Sequence, residues 1–315
     1  MCKLKSAIIL KNRIFIPEYD SHSKMLEELG ITDNYINASK VFVRAELSPA
    51  YGDVFSDIDG WEFHVDQDIT PEWFDKKDCA ERMKKAVKEW AKTHIFIGQS
   101  NLEISHGENI YIKDCKNVSI CGTTTVKNIC GTTVVADICG TTTVNSIYDN
   151  TMVNCIYDNA TVKNIHGTAT VKYIYGNATV ENIYSNVTVK DICGNATVKC
   201  IYGNTTVVNI HDNAMVRYAC DNAIVKCICD SAIINNIYDN ASVENACGNA
   251  LVNNICNNAT VKYVYENAMV ISSPYIKWNN SASLVVSDNA IFKDCYAKTA
   301  FHAGKWKFIE VKYEN

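Results

Sequence analysis

The sequence predicts a mainly β fold: a parallel β-solenoid (β-helix) of nine-residue repeats, preceded by a small α+β cap domain. Three observations predict it. An aliphatic residue recurs every nine positions, a turn-forming pair closes each nonamer, and residues 1–100 lack the repeat. We expect an N-terminal cap over 1–100, the solenoid over 101–272, and a degenerate last coil with a capping strand over 273–315.

The nonamer has the residue pattern of a β-strand. Valine or isoleucine occupies every ninth position from Val126 to Val270, which is seventeen units, and a second aliphatic residue usually follows three positions later, as Ile165 follows Val162. A small residue, usually alanine or threonine, stands two positions before each valine. Because side chains alternate between the two faces of a strand, small, polar and aliphatic residues in succession indicate a strand. The three-residue step from Val162 to Ile165 breaks this alternation and predicts a bend or bulge.

The pair that closes each nonamer predicts a turn. Gly176-Asn177 and Asp212-Asn213 are examples, and glycine, asparagine and aspartate all tolerate positive φ. We interpret the recurring aspartates as turn caps, since the Gly-Gly-X-Gly-X-Asp pattern of calcium-binding nonapeptide repeats is missing.

One nonamer cannot bury its own apolar face, so the units must stack. The small inward residues favour a flat coil of two units, about 18 residues, with a triangular coil of three units as the alternative. Two-unit coils would number about eight.

Residues 1–100 have the mixed pattern of a small α+β domain. Lys40–Arg44 and Trp61–Val65 are predicted strands. Thr70 and Pro71 have the residue types of a helix N-cap and first helical position.

An amphipathic helix is predicted from about Asp78. Its other face carries lysines, among them Lys84 and Lys88, which we interpret as a solvated surface and as the cap's candidate interaction residues. The residues predicted to face inward recur at helical spacing: Ala80, Met83, Val87, Trp90 and His94.

The C-terminal end of the repeat is degenerate. Asp288–Phe292 is predicted to be a last repeat unit, and Lys305–Tyr313 a closing strand whose aromatic residues seal the core.

Composition excludes several classes of protein. A net charge of −5 over 315 residues argues against a strongly basic nucleic-acid binder. The apolar run Ala7–Leu10 is too short for a signal peptide, and no membrane-spanning stretch occurs, so a cytoplasmic protein is expected. The fifteen cysteines follow the repeat and are interpreted as free thiols.

No nucleophile elbow, phosphate loop or catalytic triad pattern is present, so we expect no enzyme and no cofactor.

A ladder of cysteine, tyrosine and histidine follows the repeat isoleucines. In 18-residue coils, Cys193, His211, Cys229 and Cys247 would lie in one row, where soft metals find suitable ligands. A straight row does not easily form a tetrahedral set, which favours packing along a corner. The remaining interaction candidates are tyrosines of the same ladder: Tyr157, Tyr175, Tyr184 and Tyr202.

The residue before each repeat valine is predicted to face outward, and it is often threonine. Ordered threonine rows can bind ice, but charged residues such as Lys163 and Glu181 follow two positions later on the same face and disrupt a lattice match.

The Gly-Asn-Ala-Thr-Val units, with the segments Val65–Trp73 and Ala86–Ala91, resemble a family of uncharacterised repeat proteins of gut bacteria and their phages or prophages. The resemblance spans nearly the whole chain. It implies a phage-linked or host-bacterial intracellular protein, and it transfers no catalytic residue.

We therefore expect a non-enzymatic structural or interaction scaffold that binds a partner protein through the solenoid face or the cap. The sequence is also compatible with a homo-oligomer. The alternatives are small-molecule or metal binding along the ladder, and nucleic-acid binding or mimicry. The last is disfavoured by eight Lys/Arg against eleven Asp/Glu between Lys127 and Glu266.

Overall fold

The structure is a computed structural model that describes residues 5–273, 284–295 and 299–302. The chain divides into two compact units, residues 1–97 with 108–111, and residues 98–107 with 112–315. The predicted closing strand Lys305–Tyr313 lies outside the described residues.

The N-terminal unit contains a four-stranded antiparallel sheet of order β2-β1-β3-β4. Short 3-10 helices occupy Ala50–Gly52 and Ile58–Gly60. The other elements are β1 (Lys5–Leu10), β2 (Ile14–Phe15), α1 (His22–Glu28), α2 (Tyr35–Ala38), β3 (Phe42–Ser48), β4 (Glu62–Val65), α3 (Lys76–His94) and β5 (Ile95–Ile97).

Both faces of this sheet are covered by helices. Ile9 and Val43 belong to a buried cluster that includes Met83 and Val87 of α3. Strand residues of the opposite parity, such as Ile8, belong to a second cluster with the α1 residues Met25 and Leu26. Because successive side chains of a strand point to opposite faces, the nearly continuous burial along β1 and β3 gives the sheet two buried faces.

The predicted helix start at Thr70 and Pro71 is wrong. Pro71 accepts a turn hydrogen bond from the Phe74 N–H (2.9 Å), and α3 begins five residues later with Asp75 as its N-cap, whose carboxylate accepts from the Asp78 N–H (2.8 Å). Cys79 rather than Ala80 is the first buried residue of α3. The other predicted inward residues of this helix are buried as expected. A Thr-Pro pair is also compatible with a turn, which is the structure that residues 71–74 form, and Asp75 caps the helix instead.

The repeat region is a β-solenoid whose consecutive strands alternate between two parallel sheets. Sheet I contains β6 (Ser100–Ile104), β8 (Lys116–Ile120), β10 (Val134–Ile138), β12 (Met152–Ile156), β14 (Thr170–Ile174), β16 (Thr188–Ile192), β18 (Thr206–Ile210), β20 (Ile224–Ile228), β22 (Ser242–Ala246), β24 (Thr260–Val264) and β26 (Val285–Val286). Sheet II contains β7 (Ile110–Lys113), β9 (Thr125–Cys130), β11 (Thr143–Ile147), β13 (Thr161–Ile165), β15 (Thr179–Ile183), β17 (Thr197–Ile201), β19 (Met215–Ala219), β21 (Ile233–Ile234), β23 (Leu251–Ile255), β25 (Met269–Ser272) and β27 (Ile291–Asp294), and β28 (Thr299–His302) pairs antiparallel with β27.

The coil has two units, as predicted. Val162 pairs with Val180, and Val180 with Val198, so corresponding residues in neighbouring turns are 18 apart. The triangular coil is thereby excluded. The solenoid has about ten turns rather than about eight, because stacking already includes β6 and β8, where the nonamer motif is not recognisable.

Each repeat strand of the solenoid buries its two aliphatic residues. Val162 and Ile165 are both fully buried, although they are three residues apart. The parallel ladder pairs Val162 and Asn164 with the next turn and passes over Lys163, which is the predicted irregularity. The buried small position accepts alanine or threonine; Thr133 Oγ1 donates to the Cys130 carbonyl (2.6 Å), whereas the buried Thr142 hydroxyl has no hydrogen-bond partner among the described residues.

The turns are capped by the aspartate column, as predicted. Asp212 has φ of 57°, and its carboxylate accepts from the Gly194 N–H one turn earlier (2.9 Å), a hydrogen bond that lowers the pKa of Asp212. Asp230 does the same for the Asp212 N–H (3.2 Å). The following asparagines form side-chain ladders, with Asn213 donating to Asn195 (3.4 Å).

Gly176 lies in one of these turns and has φ of +67°. The conformation of the turn determines which substitutions are tolerated at this position. Gly176→Val should destabilise the protein by about 1–2 kcal/mol, because a β-branched residue is disfavoured at positive φ. Gly176→Asp should be nearly neutral, since aspartate occupies this position in other turns and caps the turn before. Thermal unfolding followed by circular dichroism measures the difference; equal losses for both variants would contradict the capping role.

The last repeat unit is present as predicted. Ala290 and Phe292 are buried, and β27 continues the ladder of β25, with Phe292 opposite Val270.

Candidate functional site

The Cys/Tyr/His ladder forms two columns, one after the strands of each sheet. In the first column the Tyr157 and Tyr175 rings stack with centroids 5.0 Å apart, and in the second Tyr184 and Tyr202 do the same at 5.0 Å. His166 stacks on Tyr184 at 4.9 Å. The ring faces of these candidate residues are thus used within the protein.

Burial changes the acidity of the ladder. Desolvation, with Cys155 nearby, raises the pKa of Tyr175 to about 12. The phenol is therefore neutral at physiological pH, and the stack carries no charge from this ring.

The four predicted metal ligands share one column but fall into two clusters. Cys193 and His211 lie with the exposed Asp212, while Cys229 and Cys247 lie with Cys227, in each case with ligand atoms within 4.8 Å of one another. The single four-residue site suggested by the row is therefore not formed. Cys227 was not among the predicted ligands.

The second cluster, here called the thiol cluster, consists of Cys227, Cys229 and Cys247. The sulfurs of Cys227 and Cys247 are 4.0 Å apart, and all three residues are partly buried. Desolvation and Cys247 raise the pKa of Cys227 to about 11, and desolvation together with Cys227 and Asp230 raises that of Cys229 to about 12. A hydrogen bond with Cys247 raises the pKa of Tyr265 to about 12.

The prediction that the cysteines are free thiols is wrong for one pair. Cys121 and Cys139 form a disulfide, because the 18-residue coil places them in the same column of neighbouring turns with Cα atoms 4.6 Å apart. That separation lies within the range that a disulfide spans. Twelve other cysteines of the described residues are free thiols.

The lysines predicted to form the cap's interaction surface are paired within the N-terminal unit. Lys84 Nζ donates to the Asp59 carbonyl oxygen (2.6 Å), and Lys88 Nζ donates to the Asp59 carboxylate (2.7 Å). This side of α3 is accordingly less available to phosphate or acidic ligands than its sequence suggests.

A histidine of the N-terminal unit also lies beside two carboxylates. The His22 ring contacts Asp66 through Nδ1 (3.1 Å) and the Ala45 carbonyl through Nε2 (3.2 Å), with Glu46 near by. Both ring nitrogens are occupied by protein oxygens, so this histidine serves to anchor α1 to the sheet.

A feature that the sequence analysis missed lies on the outer surface of sheet II. The residue before each repeat valine faces outward, and in the sheet II strands β9, β11, β13, β15 and β17 it is threonine. In the next five strands of the sheet it is apolar, and Met215 and Met269 are each 36% exposed. We call these five residues the apolar row: Met215, Ile233, Leu251, Met269 and Ile291.

Comparisons with protein-family models, curated proteins and solved structures find no match for this chain. Among the described residues, no helix has both the length and the apolar character needed to cross a bilayer.

Proposed function

We propose that this chain is a non-enzymatic scaffold that binds a partner protein through the apolar row of sheet II. The observation that supports the proposal most directly is the change from threonine to methionine, isoleucine or leucine at one outward position over five consecutive turns. Threonine satisfies the fold at this position, as the first five strands show, so the fold itself does not require apolar residues there. Met215 and Met269 are exposed and the other three residues of the row are half-buried; contiguous apolar side chains that solvent reaches are typical of protein interaction surfaces.

The spacing of the row favours an amphipathic helix as the partner element. Neighbouring turns are about 4.8 Å apart, so the four intervals from Met215 to Ile291 span about 19 Å. A helix advances about 5.4 Å per turn, close to the spacing of the row, and would cover it with about 13 residues. Arg217 is exposed beside Met215 and favours an acidic residue at that end of the helix. If the resemblance to phage and prophage proteins holds, the partner is a protein of the bacterial host or of the phage particle.

Site-specific photo-crosslinking tests this proposal. A photo-reactive residue at Leu251, in an extract of the cells that make the protein, should trap one partner in stoichiometric amount, and the trapped residues should map to one apolar face of a helix. The same residue at Thr179, on the same sheet but among the threonines, is the matched control and should trap no partner.

A triple variant gives the second arm of the experiment. Ile233→Thr, Leu251→Thr and Met269→Thr together restore the residue of the first five strands, so the solenoid should keep its circular dichroism spectrum while partner binding falls at least tenfold. Unchanged binding, crosslinks to a second copy of this chain, or crosslinks to a segment of the same chain would each overturn the proposal.

A further inference from the structure

We infer that Cys227, Cys229 and Cys247 form a binding site for a thiophilic divalent cation of the zinc class. The inference rests on the geometry of the thiol cluster and is independent of the partner proposed for the apolar row.

The site arises from two columns of residues rather than from one. Cys227 and Cys229 lie on either side of the buried Ile228, and the irregular strand directs both thiols to the same edge of the coil. Cys247 lies one turn later in the column of Cys229. Two columns in two successive turns provide four positions, and three of them are cysteine.

The fourth position is Asn245, the ladder partner of Cys227 in β22. Its side-chain amide donates to the Lys226 carbonyl (3.0 Å). The cation would therefore have three thiolate ligands and an open position for water or another small ligand. Three protein ligands with one open position is an arrangement that zinc adopts in proteins.

The distances suit a thiolate-bound cation. A Zn–S bond of about 2.3 Å in tetrahedral geometry separates two sulfurs by about 3.8 Å. The Cys227 and Cys247 sulfurs are already 4.0 Å apart, and Cys229 is within 4.8 Å of both. Side-chain movements of less than about 1 Å therefore close the site. Thiolate ligands select soft or borderline cations over calcium and magnesium.

Binding must displace the thiol protons. Three thiols and one Zn²⁺ give a tris-thiolate complex of charge −1 and three released protons. Because the cation must displace these protons, zinc affinity should increase with pH.

Zinc binding by the full chain, purified and kept reduced, tests the inference. Equilibrium dialysis against Zn²⁺ should show one equivalent bound at this site, and a weakly buffered titration at pH 7 should release close to three protons per zinc. Co²⁺ in place of zinc should give the thiolate charge-transfer absorption. Cys247→Ser should lose the absorption and weaken zinc binding at least a hundredfold.

A gain-of-binding variant keeps the test independent of folding defects. Asn245→Cys should complete a four-thiolate set and tighten zinc binding at least tenfold. Asn164→Cys, in the corresponding column of sheet II, and Cys155→Ser, in the same column as Cys227, are matched controls that should leave binding unchanged.

The inference would be overturned if the reduced protein bound no zinc, if zinc affinity were unchanged in Cys247→Ser, or if the protein bound monovalent copper but not zinc. Loss of the bound zinc in Cys193→Ser alone would place the site at the Cys193–His211 cluster and would also contradict it.

Discussion

Ile183→Ala should destabilise the solenoid by about 2–5 kcal/mol. Ile183 is fully buried and is paired with Ile165 in the turn before and Ile201 in the turn after, so truncation leaves a cavity in a continuous aliphatic ladder. The coil is only two strands thick. Neighbouring turns that repeat the same backbone geometry have little freedom to collapse into the space, which places the loss toward the upper part of this range.

Thr179→Ala in the same strand is the matched control. Thr179 occupies the outward position before the repeat valine, and its substitution should change stability by less than about 0.5 kcal/mol. Denaturant unfolding followed by circular dichroism compares the two variants. Similar losses for both would mean that the inward and outward positions of the repeat are not energetically distinct.

Much of the solenoid was predictable because its constraints are local and repeated. The nine-residue period identifies the inward positions, and residues as small as Ala160 in the core leave room only for a thin coil. The first turns escaped prediction because their buried residues depart from the regular spacing: Val118 lies 17 rather than 18 residues before its ladder partner Val135. Backbone stacking there depends on apolar burial, and such burial does not require the full motif.

The N-terminal unit was only partly predictable. The two predicted strands correspond to β3 and β4, but β1 was missed, since its residues Lys5 to Ile9 are buried on both faces and show no alternation. A strand covered by helices on both sides resembles any short apolar run.

The candidate sites depend on geometry that sequence order conceals. The apolar residues Ile233, Leu251 and Met269 are 18 apart in the chain, and the polar residues Ser242 and Thr260 stand at the same repeat position between them. Only the two-unit coil separates these alternating residues onto different sheets. Cys227 was missed as a metal ligand for a related reason. It belongs to a different repeat position from Cys229, and the two thiols come together through the irregularity of the strand.

Raising the pH above about 9 should destabilise the protein strongly. Cys79, Cys115, Cys130 and Cys256 are buried thiols, and burial raises the pKa of each above the ordinary value of 9. The folded state therefore favours the neutral thiol, whereas the unfolded chain ionises near pH 9. Their contribution to stability is fully present below pH 9 and is lost as the pH rises through the folded-state pKa values.

Cys130 shows the size of this effect. Desolvation raises its pKa to about 11, with Asp149 and Asp114 adding to the shift and Tyr148 and Lys113 opposing it. Since one pKa unit corresponds to about 1.4 kcal/mol, Cys130 alone accounts for at most about 3 kcal/mol between pH 9 and pH 11.

Unfolding measured from pH 7 to pH 11 tests the alkaline prediction. Replacing the four buried thiols with alanine should lower stability at pH 7, through lost packing, but should flatten its decline above pH 9. The same replacement at the partly exposed Cys155, Cys193 and Cys200 should flatten the decline less, because solvent already stabilises their thiolates in part. A wild-type stability that stays level up to pH 11 would show that the buried thiols ionise without cost, and hence that water reaches the interior of the coil.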